Sequence, residues 1–302
     1  MMAKSYKDLV GDGGSGIVAQ VTEQVARLQA RMSRIRLKVA VVSGKGGVGK
    51  SALSVNLATA AALQGAAVGI LDADLNGPSI AKMTGVRGLP MAITVEGVSP
   101  VQGPAGVRIM SMDLLLPRAD TPLMWQAPTQ AESYVWRSSM EATALRELLS
   151  DTAWGDLDIL FLDLPPGTDR MATLAGLLPQ LTGMLVVTIP SDISHAVVRR
   201  SLALARELKI PVLGLIENMV GYYCETCEAL GELFRPGQGT ALARDFNIPF
   251  LGEIPFDPRL ARSADGGLPF VALQGESATG RVFRRLAADL LAHTGVAEGT
   301  GA

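Results

Sequence analysis

The amino-acid sequence predicts an α/β fold: a doubly wound, mostly parallel sheet with helices on both faces. Three observations carry that expectation. Seven short apolar runs recur along the chain, VAVVS (39–43), AVGILD (67–72), VRIMSMD (107–113), LDILFLD (157–163), MLVVTIP (184–190), VLGLIEN (212–218) and FLGEIP (250–255). Their hydrophobicity is continuous rather than alternating, the pattern of strands covered on both faces. Helical periodicity lies near 50–64, 139–150, 171–180, 192–208 and 277–292, so strands and helices alternate as parallel crossovers require.

Composition agrees. With 302 residues, 48% hydrophobic and 19% charged, the chain can bury a sizeable core and is not intrinsically disordered. Length alone suggests about two domains, yet no linker or internal repeat divides the strand–helix texture. A net charge of −2, from 27 basic and 29 acidic residues, gives no general attraction to nucleic acid or anionic membrane. Neither is expected as a partner.

From the N-terminus, residues 1–36 are expected to form a helical extension. A Gly-rich opening (GDGGSG) leads into Ile17, Val21, Val25, Leu28 and Met32 at three- or four-residue spacing, with Glu23, Arg27, Arg31 and Arg34 on the other face. Residues 37–294 are expected to form one α/β domain that includes the C-x-x-C loop, and 295–302 a flexible tail. Two uncharged stretches, 51–71 and 171–191, are interrupted by Gly65 and by Pro179, Gly183 and Pro190. Each reads as a buried helix followed by a strand, not as a spanning segment. No apolar signal core is apparent near the N-terminus, and a cytoplasmic protein is expected.

The chemistry is written at strand ends, where open α/β sheets bind ligands. After VAVVS comes Gly44-Lys45-Gly46-Gly47-Val48-Gly49-Lys50-Ser51, then Ala52 and a helix. Gly44, Gly46 and Gly49 satisfy a dinucleotide fingerprint, with Asp72 at the next strand end. The same residues satisfy the phosphate-loop pattern G-x-x-x-x-G-K-[ST]. Lys50 and Ser51 decide between them, because a triphosphate needs a cation on its β/γ-phosphates and a hydroxyl for Mg²⁺. A dinucleotide needs neither, and a nicotinamide oxidoreductase is set aside. Asp163, ending LDILFLD, is the expected second-strand acid for the Mg²⁺ shell. The turn Leu164-Pro165-Pro166-Gly167-Thr168 follows, with a Gly167 amide placed to sense a γ-phosphate. Asp74 is expected to orient the attacking water and Asp72 to support the Mg²⁺ shell. The alternative for either is a helix or turn cap.

The Gly44–Ser51 loop resembles the deviant Walker A of MinD-like P-loop ATPases, whose mark is a second lysine at the position of Lys45. With DADLNGPS (72–79), DLPPGT (163–168), IENM (216–219) before CETC, and LGEIPFDP (251–258), the chain resembles the Mrp-type (ApbC-like) iron–sulfur cluster carrier ATPases over about residues 38–290. The resemblance implies a P-loop NTPase that hydrolyses ATP as a homodimer, with Lys45 reaching the partner's phosphates. It also implies adenine contacts near Asn218, Pro255 and Asp257. Apo iron–sulfur proteins and cluster-assembly factors are the implied partners. A MinD/ParA-type positioning ATPase without a cluster is the alternative.

Cys224 and Cys227, the two cysteines of the chain, form a C-x-x-C pair in a tyrosine-flanked loop. Spacing alone admits thioredoxin-like redox chemistry, a metal site, or two structural thiols. Two copies of the chain supply four thiolates, enough for a [4Fe–4S] cluster, and the resemblance implies such a bridging cluster. Zn²⁺ in the same four-cysteine set is its rival. The sequence departs from the family pattern in four places, one of them Ile189-Pro190-Ser191 where T-P-Q is usual. Cys224-Glu225-Thr226-Cys227-Glu228 lacks the usual proline and glycine, and its carboxylates are expected to raise the thiol pKa values. Ser138-Ser139 stand in a segment that commonly reads W-R-G-P-M, and Asp169-Arg170 follow DLPPGT where a glycine is usual.

Overall fold

The computed structural model describes residues 17–116, 121, 133–227, 229–233 and 238–292. The Gly-rich opening, Glu228, His293 and the expected tail at 295–302 lie outside the described residues. Element order begins with α1 (Ile17–Ser33), β1 (Ile35–Ser43), α2 (Lys50–Leu63), β2 (Val68–Asp72) and α3 (Ile80–Met83). Short strands β3 (Ile93–Thr94), β4 (Gly97–Val98) and β5 (Val101–Gln102) lead to β6 (Arg108–Ser111). Then come α4 (Ser133–Asp151), β7 (Leu157–Asp163), α5 (Asp169–Leu177), β8 (Gly183–Thr188), α6 (Asp192–Glu207) and β9 (Val212–Tyr223). The remainder comprises β10 (Leu230–Gly231), α7 (Gln238–Phe246), β11 (Phe250–Phe256), α8 (Pro258–Asp265), α9 (Phe270–Gln274) and α10 (Ala278–Ala292).

Among the described residues one sheet runs β10-β9-β8-β1-β7-β2-β6-β5, with β11 also pairing β9. Every pairing from β11 through β9, β8, β1, β7 and β2 to β6 is parallel, while β10 and β5 add antiparallel edges. Each of the seven apolar runs contains a strand. The continuous hydrophobicity has a direct cause in β1. Val39 and Val41 face one core, packed with α2, α9 and α10, while Ala40 and Val42 face a second, packed with α1, α4, α6 and α7. With both faces covered, the centre of the strand, Val39 to Val42, is apolar throughout.

The N-terminal boundary differs from expectation. β1 begins at Ile35, so the division placed between residues 36 and 37 falls inside a strand. α1 is also joined to the domain rather than appended to it. Leu28 and Met32 are buried in the second core, and Lys38 from β1 donates to the carbonyls of Met32 (3.2 Å) and Ile35 (2.7 Å). The first of those bonds satisfies a carbonyl that the helix end leaves open. The helices α3, α7, α8 and α9 and the β3–β4 hairpin went unpredicted. Most are short, and α3, α8 and α9 span only 4, 8 and 5 residues, too few for periodicity to register.

Candidate nucleotide and cysteine sites

The loop between β1 and α2 is built for close backbone approach. Gly47 and Gly49 have φ of 79° and 80°, left-handed values that side chains disfavour. α2 then starts at Lys50, and its unpaired N-terminal amides with the helix dipole attract anions. Two neighbours hold the loop in shape. A Cβ on Gly44 would meet Val197 Cγ1 at 2.9 Å, so α6 packs on its first residue. Asn218 Nδ2, from β9, donates to the Val48 carbonyl at 2.8 Å. The result is a cleft of about 280 Å³ lined by Lys45 through Ala52 with Ser43, Asp74, Met83 and Pro166. The larger cavity beside Leu202, Arg206 and Phe246 does not touch this loop.

Asp163 is the hub of the cleft floor. Its Oδ2 accepts from Lys50 Nζ at 2.7 Å and Ser51 Oγ at 2.6 Å, and its Oδ1 from Ser54 Oγ at 2.6 Å. Ser54 was not singled out from the sequence; its signal was a second hydroxyl one helical turn beyond Ser51. Asp72 pairs in register with Asp163 across β2 and β7. Its Oδ2 accepts from the amides of Ser79 (2.9 Å) and Ile80 (3.0 Å) and from Ser111 Oγ (3.2 Å), so the carboxylate caps α3. Burial and then repulsion from Asp163 push its pKa up to about 7. Asp74 lies beyond the strand end, half-buried in the cleft wall, where its carboxylate accepts from the Gly77 amide at 3.2 Å. The Gly167 amide donates to the Ser43 carbonyl at 2.9 Å, fastening the DLPPGT turn to the start of the phosphate loop.

The residues expected near adenine have different surroundings. Asn218 and Pro255 are neighbours, because Ile254 pairs in register with Asn218. Asp257 instead caps α8 and accepts from the Arg259 side chain (2.7 Å) and Thr279 Oγ1 (2.9 Å). Burial pushes its pKa up, but the Arg259 and Thr279 hydrogen bonds outweigh that and hold it below the usual range. One face of β9 thus carries Asn218 toward the phosphate loop. The opposite face carries buried Glu217, whose Oε1 lies 3.1 Å from His195 Nε2 on α6.

The C-x-x-C pair occupies the turn between β9 and β10. The Cys224 amide donates to the Ala229 carbonyl at 3.0 Å, closing the turn. Both cysteines are free; Cys224 is half-buried and Cys227 exposed. The expected rise in thiol pKa is corrected for Cys224: the amides of Cys227 and Thr226 hydrogen-bond its sulfur and pull the pKa down. Glu225 is drawn aside by Arg262, 2.5 Å away. Behind the turn, Tyr222 stacks on Phe256 at 6.3 Å, and the Arg259 guanidinium lies 4.4 Å over the Tyr223 ring. Among the described residues no three His, Cys, Asp or Glu converge as a metal site.

With this geometry in hand, known proteins can be compared. A family model described as NUBPL iron-transfer P-loop NTPase, of the ParA group, matches residues 34–133 and 128–291. An iron–sulfur cluster carrier protein of Saccharolobus solfataricus is 40% identical over 269 residues, 89% of this chain and 87% of that one. The human cytosolic Fe-S cluster assembly factor NUBP2 is 39% identical over 82% of this chain and 89% of its own. Among solved structures, an Archaeoglobus fulgidus nucleotide-binding protein in complex with ADP, with Co, is 36% identical at a TM-score of 0.68. It covers 80% of this chain and 91% of its own. MinD of Aquifex aeolicus, 18% identical with a TM-score of 0.58 over 85% of this chain and 97% of its own, shares the fold.

Proposed function

We propose, from the premise that the chain belongs to the NUBPL iron-transfer P-loop NTPase family, that it is an ATP-hydrolysing carrier of iron–sulfur clusters. Two copies hold a labile [4Fe–4S] cluster between them through Cys224 and Cys227 of each and pass it to apo-proteins. One observation carries the reading. A phosphate loop with its acidic partner, Asp163, and a pair of free thiols occur on a single, mostly parallel sheet, with Asn218 of the strand that leads into the cysteine turn bonded to the phosphate loop. Four thiolates are the ligand set of such a cluster, and a lone copy supplies two. The names of the archaeal and human relatives support the cargo, and the human one supports a cytosolic setting.

The residues present suit a magnesium nucleotide. Gly46, Gly47, Val48 and Gly49 line the cleft, with Gly44 at the head of their loop, and a Cβ at Gly47 would meet nothing within 4 Å, leaving open space there. Ser51 and Asp163 would hold Mg²⁺, with Asp72 behind Asp163; the ion would neutralise charge on the phosphates. Lys50 then turns from Asp163 to the β- and γ-phosphates. Asp74 orients a water for in-line attack on the γ-phosphorus; the bond to the β-phosphate oxygen breaks, leaving ADP and inorganic phosphate. Lys45 of a second copy would add positive charge to the transferring phosphoryl group, making turnover depend on pairing.

Anaerobic reconstitution with iron and sulfide tests the cargo. The wild-type chain should develop a broad absorbance near about 400 nm and hold about four irons per dimer, and Cys224→Ala should develop neither. Failure of the wild type to take up iron, or full uptake by Cys224→Ala, overturns the carrier reading. Zinc held at two thiols per copy, without sulfide, would replace it.

A further inference from the structure

Glu141, on α4, is 2% exposed, and a carboxylate so deeply buried needs strong partners. Its partners include two from opposite sides of the phosphate cleft. Asn76 Nδ2 donates to Oε1 at 2.9 Å, and the Arg170 guanidinium pairs with Oε2. Asn76 sits in the turn that leaves β2. The Gly77 amide of that turn bonds the Asp74 carbonyl (3.3 Å) and carboxylate (3.2 Å), so whatever holds Asn76 also aims Asp74. Arg170 is the second residue of α5, directly after the turn that brings Pro166 into the cleft wall and ties Gly167 to Ser43. Glu141 therefore joins both loops from behind. Two of the departures from the family pattern, at Ser138-Ser139 and at Asp169-Arg170, meet here: Glu141 lies just past the first and pairs with the arginine of the second.

We propose that Glu141 is a positioning residue for hydrolysis, setting the spacing between Asp74 and the Pro166–Gly167 turn through Asn76 and Arg170. The inference rests on the ATPase reading. The brace acts through Asn76 and Arg170, neither of which lines the cleft, so it governs the geometry of attack more than the hold on nucleotide. A misplacement of about 1 Å in a reacting group costs on the order of a hundredfold in rate. Asn76 also makes a charge exchange possible, since its amide presents a donor to Glu141 or, turned over, an acceptor to an arginine.

The test uses the full chain, with steady-state ATP hydrolysis, titration by a fluorescent ADP, and thermal melts. Glu141→Gln should lower kcat about tenfold to a hundredfold, with KM and ADP affinity changed by less than about twofold. Asn76→Ala, which removes one donor at an exposed position while Arg170 stays in place, should lower kcat about threefold to tenfold with ADP affinity held. The exchanged pair Glu141→Arg with Arg170→Glu should recover kcat relative to either single change. Wild-type kcat in both Glu141→Gln and Asn76→Ala overturns the brace. So does a kcat loss matched by an equal loss of ADP affinity, or a double variant no better than the singles. A wild-type chain that binds the ADP probe but never hydrolyses ATP overturns the ATPase reading itself, a separate outcome.

Discussion

Gly49 and Asn218 offer a sharp test of how the phosphate loop is held. A Cβ at Gly49 would stand 2.4 Å from Asn218 Nδ2, the atom that donates to the Val48 carbonyl at 2.8 Å. Gly49→Ala therefore carries two penalties. The left-handed φ of 80° costs a side-chain-bearing residue about 1–2 kcal/mol. Displacing the Asn218 amide removes a buried hydrogen bond and strands its partners, about 1–3 kcal/mol more. Asn218→Ala removes the same bond and also empties the space the new methyl needs. In that background Gly49→Ala should cost only the backbone term. The double variant should thus be more stable than additivity predicts by about 1–3 kcal/mol. Urea unfolding of the four proteins measures the cycle, and ADP titration shows how much of the loss reaches the nucleotide. Costs that add within about 0.5 kcal/mol would refute the claim that this bond shapes the loop.

Two further predictions concern the cleft. Asp72 has a folded pKa of about 7 against 3.8 for an ordinary aspartate. Between those values the folded chain binds the extra proton, so stability should fall as pH rises through the window, by up to about 1.4 kcal/mol per pH unit. Urea midpoints of nucleotide-free, chelator-treated protein from pH 4 to pH 7 measure this, and Asp72→Asn should flatten the slope; an unchanged slope assigns the proton elsewhere. Lys50→Ala should abolish both nucleotide binding and hydrolysis, whereas Lys45→Ala should leave ADP affinity nearly intact and remove hydrolysis. Normal turnover in both would mean that the active site lies elsewhere.

Much of the site was legible because its chemistry is local in sequence. A glycine loop, its lysine and its hydroxyl occupy eight consecutive residues, and strand ends announce themselves as acids after apolar runs. Asp163 was found in that way. What stayed hidden depends on long separations. Ser54 reaches Asp163 across 109 positions, Asn218 reaches Val48 across 170, and Asn76 reaches Glu141 across 65. Nothing in the spacing of those residues marks them as partners. The thiol at Cys224 teaches the same point, because neighbouring glutamates argued for a raised pKa while turn amides, invisible in composition, pull it down.

By itself the sequence determined the class of fold, the order of its strands along the chain, and the phosphate loop. Those follow from hydrophobic periodicity and from glycine and lysine placed within a few residues of one another. Tertiary structure alone decided the roles of the carboxylates. Asp72, Asp74, Glu141 and Asp163 are alike in ionisable chemistry, but packing makes Asp72 a buried cap, Asp163 the partner of Lys50 and Ser51, Asp74 a wall of the cleft, and Glu141 the link between two loops. The physical reason is that a carboxylate's work is set by which donors and charges surround it, and parallel crossovers assemble those surroundings from distant stretches of chain.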